Sequence, residues 1–483
     1  MLVAWPVVTA VLFQRMEVRR AFVWSILGAY MFLSPLTAIA LPVVPDMDKT
    51  TLPNIAAAIM AMSLGYRVLQ MPSNPLMKIL IVLWIVGPWD SIFGNEQPLI
   101  EGITYRPAQS AYDAFNVMLR QAVVVVPLLM GRNLLAEDGS ERLILRALLT
   151  GGLIYSLPML VEVRLSPQIN VWIYGYFAHD FGQMMRYGGY RPMVFMTHGL
   201  WVALFTFSAL IAAAALARAQ RLDLRALAIV GWMAVMLVIC KSMAPILYAL
   251  AVVPLVLLAP ARIQLTVAAV LAMIVLSFPL LRLSGLVPVE GLIAAANAID
   301  PDRALSLAFR LHNEDLLLAR AAEKLWTGWG SFGRNLIVDP VSGEYVTIPD
   351  GAWIITMGVQ GLPGYVIEFG LYTLPVFMAW RTRAVRSEPL LAALVLMHAT
   401  MLIDLIPNAT LTPLTYLLAG IIVGRVEYLR RVPAGRTATP IVPGRGGRPG
   451  LALPGPGSAG GAVGVGVGSG GGGVAVPGLR TIL

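Results

Sequence analysis

Residues 193–217 read "MVFMTHGLWVALFTFSALIAAAALA", and "RAQRLDLR", residues 218–225, follows at once. The first stretch holds no Asp, Glu, Lys or Arg. A helix of about 20 apolar residues crosses the ~30 Å hydrocarbon core of a bilayer. Its apolar residues do not alternate with the period of a strand, and lipid admits only helices or closed barrels. The stretch therefore predicts a membrane helix that ends in an arginine-rich loop.

The rest of the chain repeats this pattern. Of its 483 residues, 58% are hydrophobic and 13% charged, with mean hydropathy +0.76. Soluble domains carry about 25% charged residues, so this chain cannot cover a globule with polar surface. Further apolar runs lie near 2–13, 21–41, 52–70, 76–93, 114–131, 143–161, 226–241, 243–259, 263–283, 351–380, 390–405 and 411–424. The first is short, and the pair around Lys241 is nearly continuous, so the expected fold is an all-α polytopic bundle of about 12 transmembrane helices. One cysteine, Cys240, excludes an intrachain disulfide. The N-terminus is apolar from Leu2 and lacks the basic region of a cleavable signal peptide.

The loops sort by charge. "QRMEVRR" (14–20), "GRNLLAEDGSERLILR" (131–146), "RAQRLDLR", "WRTRAVRSEP" (380–389) and "GRVEYLRR" (424–431) are arginine-rich. "PVVPDMDKT" (42–50) and "DSIFGNEQPLIEGITYRPAQSAYD" (90–113) are acidic. The net charge of +9 therefore reflects topology and not nucleic-acid binding, and the arginine-rich loops are expected in the cytoplasm. Residues 90–113, 162–192 and 284–350 then face outward, the last as a large periplasmic loop with short amphipathic helices. Residues 1–431 form the membrane domain, and 432–483, rich in Gly and Pro, are expected to be a disordered cytoplasmic tail.

Gly328-Trp-Gly-Ser-Phe-Gly333 spells the G-x-G-x-x-G of a dinucleotide loop. That loop must follow a strand and open a helix. Here "NEDLLLARAAEKLW" (313–326), helical in pattern, comes first, and loop-like "RNLIVDPVSGEY" (334–345) follows. The glycines are expected to make a tight turn against the membrane surface, and no cofactor is expected.

Arginine offers a planar, permanently charged fork suited to phosphate. Arg186 and Arg191 stand near the outer interface with His198, and the large loop adds Arg303, Arg310, Arg320 and Arg334. Each of these can equally snorkel or pair with Asp180, Glu314, Asp315 or Glu323. His198 can supply an imidazole or cap a helix end. His179 and His312 are weaker candidates of the same kind, and His398 reads as packing. The four histidines and one cysteine show no metal-ligand spacing, and no G-x-S-x-G elbow is present. Arg120, Lys241, Glu368 and Asp404 are the charges inside the runs. Arg120 and Glu368 either pair or line a lipid groove. The aromatic run Trp172, Tyr174, Tyr176 and Phe177 fits an interfacial belt, or stacking on sugar rings.

Three segments together resemble the superfamily of O-antigen ligases and O-antigen or exopolysaccharide polymerases. "RYGGYRPMVFMTHGLWVALF" (186–205) is similar to its R-P-x-G-x-F-x-x-P-N segment. "FRLHNEDLLLARAAEKLWTGWGSF" (309–332) is similar to its arginine-led amphipathic helix and P-L-x-G-x-G-x-x-x-F turn. "DGAWIITMGVQGLPGYVIEFGLYTLP" (350–375) is similar to its H-N-x-x-L…G-x-x-G segment, with Gly361 and Gly364 at the glycines. Their order, spacing and place on the large loop agree with the family. The segments cover about a seventh of the chain.

The resemblance implies a metal-independent, inverting C-type glycosyltransferase in the bacterial inner membrane, multi-pass. It implies transfer of a glycan from an undecaprenyl-diphosphate carrier to the hydroxyl of an acceptor glycan or lipid on the periplasmic face, by a polymerase in preference to a ligase. Expected partners are that carrier-linked glycan, the membrane, and polysaccharide chain-length or export proteins, with no nucleic acid. Arg191 and Arg310 would hold the diphosphate. Arg186, Arg320, Arg334, His198 and Lys241 would help bind substrate. Lys241-Ser242 resembles a family S-[R/K] pair, with the order reversed. Where the family has His-Asn, this chain has Asp350-Gly351. Asp350 either takes over as general base or caps the helix that follows. The same composition also fits a polysaccharide or lipid transporter, and the missing histidine fits a non-catalytic scaffold for envelope assembly.

Overall fold

The computed structural model describes residues 1–41, 44–186, 188–299 and 301–431, without the side chains of residues 41, 299, 302 and 303. The expected tail, 432–483, and the Arg303 side chain lie outside the described residues.

Each apolar run is helical. Most boundaries fall within a few residues of the sequence expectation: Trp5–Arg15, Ser140–Leu165, Leu224–Ile239, Met243–Leu258, Ala261–Leu283, Ala352–Arg381 and Pro389–Asp404, whereas the run at 52–70 is helical only over Thr51–Ser63. Two differences have local causes. The run at 21–41 stops being helical at Phe32, before Ser34-Pro35, because proline disfavours helix in the residue before it. Residues 193–198 are not helical, and the helix begins only at Gly199 and runs to Ala219.

Among the described residues six helices are long and apolar enough to cross a membrane, and the chain reads as a multi-pass membrane protein. Several others are shorter. Leu224–Ile239 and Met243–Leu258 have 16 residues each, about 24 Å of helix.

Gly199–Ala219 is the central helix. It packs against Ser140–Leu165, Leu224–Ile239, Met243–Leu258 and Pro389–Asp404, and 89% of its apolar window is buried. Such a helix, apolar on every side, belongs inside a bundle. Helix Pro413–Arg431 packs on Val126–Leu134 through Gly420 and Gly424. A Cβ at Gly420 would lie 2.1 Å from the Leu128 carbonyl oxygen. Gly420-x-x-x-Gly424 thus lets two helix backbones touch.

Hydrogen bonds and ion pairs stitch the two ends of the bundle. At the arginine-rich end Arg425 pairs with Asp138 at 2.8 Å, Arg132 with Glu427 at 2.6 Å, and Arg19 with Glu137. At the other end three short hairpins form, Ile39–Leu41 with Val44–Met47, Leu99–Glu101 with Thr104–Arg106, and Met185–Arg186 with Gly189–Tyr190. Helices Val289–Ile299 and Pro301–Glu323 lie between Ala261–Leu283 and Ala352–Arg381 in the chain. Buried Asn313, Glu314, Leu317, Leu318 and Ala321 make one inward stripe on Pro301–Glu323, the amphipathic spacing the sequence predicts.

Ala352–Arg381 is broken at Gly361, which takes φ +67° and ψ −172°. The break frees backbone groups, and the glycine turn satisfies them. Trp329 N donates to Gly358 O at 2.8 Å, Gly330 N to Val359 O at 2.9 Å, and Leu362 N to Leu325 O at 2.7 Å. Gly328 sits at φ +69°, and a Cβ there would lie 2.4 Å from Val359 O. The G-x-G-x-x-G spelling therefore serves a backbone dock. It follows helix Pro301–Glu323 and opens no helix.

Candidate functional site

The site grows from the loop at 191–198. Three side chains fix its path. The Glu162 carboxylate accepts from Met193 N and Val194 N at 2.7 Å each and from Ile169 N at 3.1 Å. Tyr155 Oη accepts from Phe195 N at 3.1 Å, and Lys49 Nζ donates to Phe195 O at 3.1 Å. Burial pulls the Lys49 ammonium down to about 7, against Asp48 beside it. Val194 is held at φ +53°, which a β-branched residue adopts only under such constraint.

This loop delivers Arg191 into the protein, 2% exposed. Its Nη2 donates to Ser242 Oγ, its Nε is buried without a partner, and the guanidinium crosses Gly199, where a Cβ would lie 2.5 Å from Nε. Among the described residues no carboxylate pairs with it. The charges that act on it most are cations. Burial, then Arg186, pull its pKa down to about 10, Arg310 adds to the fall, and Cys240 alone opposes it. A buried charge without a counter-ion is costly, and the fork of a guanidinium is suited to a phosphate.

His198 caps the central helix, its Nδ1 accepting from Leu200 N at 3.1 Å, with the His179 ring 4.6 Å away. Burial first, then Arg191, His179, Arg186 and Arg310, pull its pKa down to about 3. It is neutral at physiological pH. With Nδ1 accepting, the assigned tautomer carries its proton on Nε2, so this ring donates and does not act as a base. Lys241 holds the hairpin beside it, Nζ to Arg186 O at 2.9 Å.

Arg310 approaches from helix Pro301–Glu323. Its Nε lies 3.4 Å from Asp350 Oδ2, each side chain 34% exposed. Asp350 does not cap the helix. Gly351 is the N-cap and no side chain bonds there. Gly351 is set by Ala352 N, which donates to Leu405 O at 3.0 Å and to Asn408 O at 3.2 Å. The N-termini of helices Gly199–Ala219 and Met243–Leu258 thus meet Arg191 at Gly199 and Ser242, adding positive dipole ends.

Glu314 stands one turn beyond Arg310. Trp353 Nε1 donates to it at 3.4 Å, and Arg282 lies 3.8 Å away while pairing with Asp315 at 2.7 Å. Burial outweighs both and pushes Glu314 up to about 7. The fold therefore binds a proton that the unfolded chain releases near 4.5. Stability is full below 4.5 and falls as pH rises to about 7, by up to ~3 kcal/mol. Thermal unfolding in detergent at pH 5 and pH 8 is expected to show that loss in the native protein and not in Glu314→Gln. Parallel losses in both would refute it.

The other expected binders lie elsewhere. Arg320 pairs with Glu101 at 2.7 Å and Glu323 at 3.0 Å and covers the Trp329 ring at 3.5 Å. Arg334 donates to Gln97 O at 3.0 Å and Pro107 O at 2.9 Å. Both brace the 94–109 loop against the glycine turn. Arg120 and Glu368 do not pair, a correction to that option. Arg120 is exposed near Asp48 at 4.0 Å, and Glu368 accepts from Thr356 and Tyr372 at 2.8 and 2.9 Å. Asp404 accepts from Thr410 and Asn408 at 2.7 and 3.1 Å. His398 is fully buried against Tyr372 O, and His312 is exposed. Tyr176 bonds Thr37 at 3.0 Å, and Tyr174 bonds Phe32 O at 2.8 Å, so both are tied to the bundle. Trp172 is exposed.

Glu162 is inconspicuous in the sequence because it closes the apolar run at 143–161. A lone acid at the edge of a span was its only signal. No protein-family model matches this chain, and no curated protein matches it.

Proposed function

We propose that this protein is a membrane glycosyltransferase that moves a glycan from an undecaprenyl-diphosphate carrier to an acceptor hydroxyl, elongating a lipid-linked polysaccharide. The observation that carries the proposal is Arg191, buried, without a carboxylate partner among the described residues, and flanked by Arg186 and Arg310. The likeness of three ordered segments to the O-antigen ligase and polymerase superfamily supplies the chemistry. The membrane is the bacterial inner membrane, crossed about twelve times. The arginine-rich end faces the cytoplasm and the site the periplasm.

In this scheme the diphosphate draws Arg310 away from Asp350. The freed carboxylate takes the proton of the acceptor hydroxyl as its oxygen attacks the anomeric carbon from the face opposite the carrier. The carbon–oxygen bond to the diphosphate breaks, its electron pair stays on the phosphate oxygen, and Arg191 and Arg310 neutralise that charge. His198 donates through Nε2. Configuration inverts, and undecaprenyl diphosphate leaves.

Purified protein in lipid nanodiscs with undecaprenyl-diphosphate-linked glycan is expected to lengthen the glycan and release undecaprenyl diphosphate. Arg310→Ala is expected to slow this by about 10²–10³, and Asp350→Asn to stop it while Asp350→Glu retains part. Movement of the lipid-linked glycan across the bilayer with no new glycosidic bond would sink the assignment and make the protein a transporter.

A further inference from the structure

A second cationic site lies at the opposite, arginine-rich end. Residues of helices Val18–Phe32 and Ser140–Leu165 and of the segments before them line a cavity there of about 460 Å³. Arg19, Arg20, Arg142 and Arg146 line it, with Ser140 at the helix start and Trp24, Leu143 and Ala147 farther along. Two carboxylates also line it, and both are engaged. Glu17 lies 3.6 Å from Arg19, and Asp138 pairs with Arg425 at 2.8 Å. Arg19 also pairs with Glu137. Arg20, Arg142 and Arg146 are exposed, and no ion pair is formed by them among the described residues.

Ser140 is the independent sign of a ligand. It is 1% exposed, lines the cavity, and its Oγ has no hydrogen-bond partner. It opens a 26-residue helix, whose first backbone N–H groups attract anions. Arg142 and Arg146 are one turn apart on that helix. Leu143 and Ala147 continue the groove toward the apolar part of the helix.

We propose that this cavity binds a phosphate ester, held by Ser140, the start of helix Ser140–Leu165 and the guanidinium groups of Arg20, Arg142 and Arg146. The apolar groove behind it suits the acyl chain of an anionic phospholipid better than a free phosphate. The site is separate from the transferase centre and does not depend on it.

The test compares lipids retained by the purified full chain from nanodiscs of equal phosphatidylglycerol and phosphatidylcholine, read by native mass spectrometry. Preferential retention of phosphatidylglycerol is expected. The triple variant Arg20→Ala, Arg142→Ala, Arg146→Ala should lose it by roughly fivefold per arginine, on the order of a hundredfold together. Arg225→Ala with Arg262→Ala, exposed arginines elsewhere, should leave it unchanged. Stabilisation by inorganic phosphate in phosphatidylcholine discs, lost in the triple variant and without a phosphatidylglycerol preference, would support the phosphate site and make its ligand soluble. No preference and no phosphate effect, or an equal loss in the control pair, would overturn the proposal. Should the triple variant not fold, photoactivatable phosphatidylglycerol on the native protein should label residues 17–24 and 138–150. Labelling only elsewhere would overturn it.

Discussion

Arg191→Met is expected to abolish glycan transfer while raising the unfolding temperature. The two effects share a cause. The native guanidinium is 2% exposed, has an unpartnered Nε, and is bonded through Nη2 to Ser242. Its nearest strong charges repel it. Holding it there costs the fold free energy, and replacing buried charges with apolar side chains of similar volume can be stabilising by about 1–4 kcal/mol. In the proposed function the same charge faces a leaving diphosphate, where it would be worth about 10²–10³ in rate. A residue kept only for packing would lose stability on replacement and leave turnover intact. Transfer assayed in membranes, with unfolding followed in detergent, separates the cases. An Arg191→Met variant that is active, or that is inactive only because it is unfolded, would end the assignment of Arg191 to the site.

Gly420→Val is expected to prevent accumulation of folded protein. The closest approach of helices Pro413–Arg431 and Val126–Leu134 is backbone to backbone. The Gly420 Cβ position lies 2.1 Å from Leu128 O and 2.8 Å from its carbon atoms. Gly424 meets Arg132 O at 2.5 Å in the same way. No flexible side chain stands there to move aside, so the helices must separate. That disturbs the buried pair Arg132–Glu427 and the Arg425 bonds to Asp138 and Glu141 at 2.8 and 3.1 Å. The cost should be about 3 kcal/mol or more. Gly231 is the internal control, since a Cβ there meets nothing within 4 Å. Gly231→Ala should be neutral or stabilising by up to ~1 kcal/mol. Size-exclusion chromatography of detergent extracts reads both, and a monodisperse Gly420→Val protein would refute the packing claim.

Hydropathy made the helices legible because burial and lipid exposure both select apolar residues along a whole run. It blurred at 193–198, where apolar side chains occupy a loop. Met193 and Val194 are buried and apolar, yet their backbone bonds to Glu162 and not to a helix. Arg191 and Arg310 were visible as arginines near an interface. The attachment of Arg310 to Asp350 was not, since the pair spans 40 positions, as Arg320 and Glu101 span 219. The same distance in sequence hid the fact that Arg320 and Arg334 are braces. The glycine turn was recognisable as a turn, but its receptor, the break at Gly361, lies beyond any local pattern.

That receptor has a consequence for how the chain is assembled. Leu325, Trp329 and Gly330 complete the backbone bonding of a helix that begins 22 residues after Gly330, at Ala352. They are synthesised first, while the broken helix follows with raw amide and carbonyl groups at its fracture. Completion of that helix and docking of the glycine turn are therefore one event, and neither half has a finished form without the other.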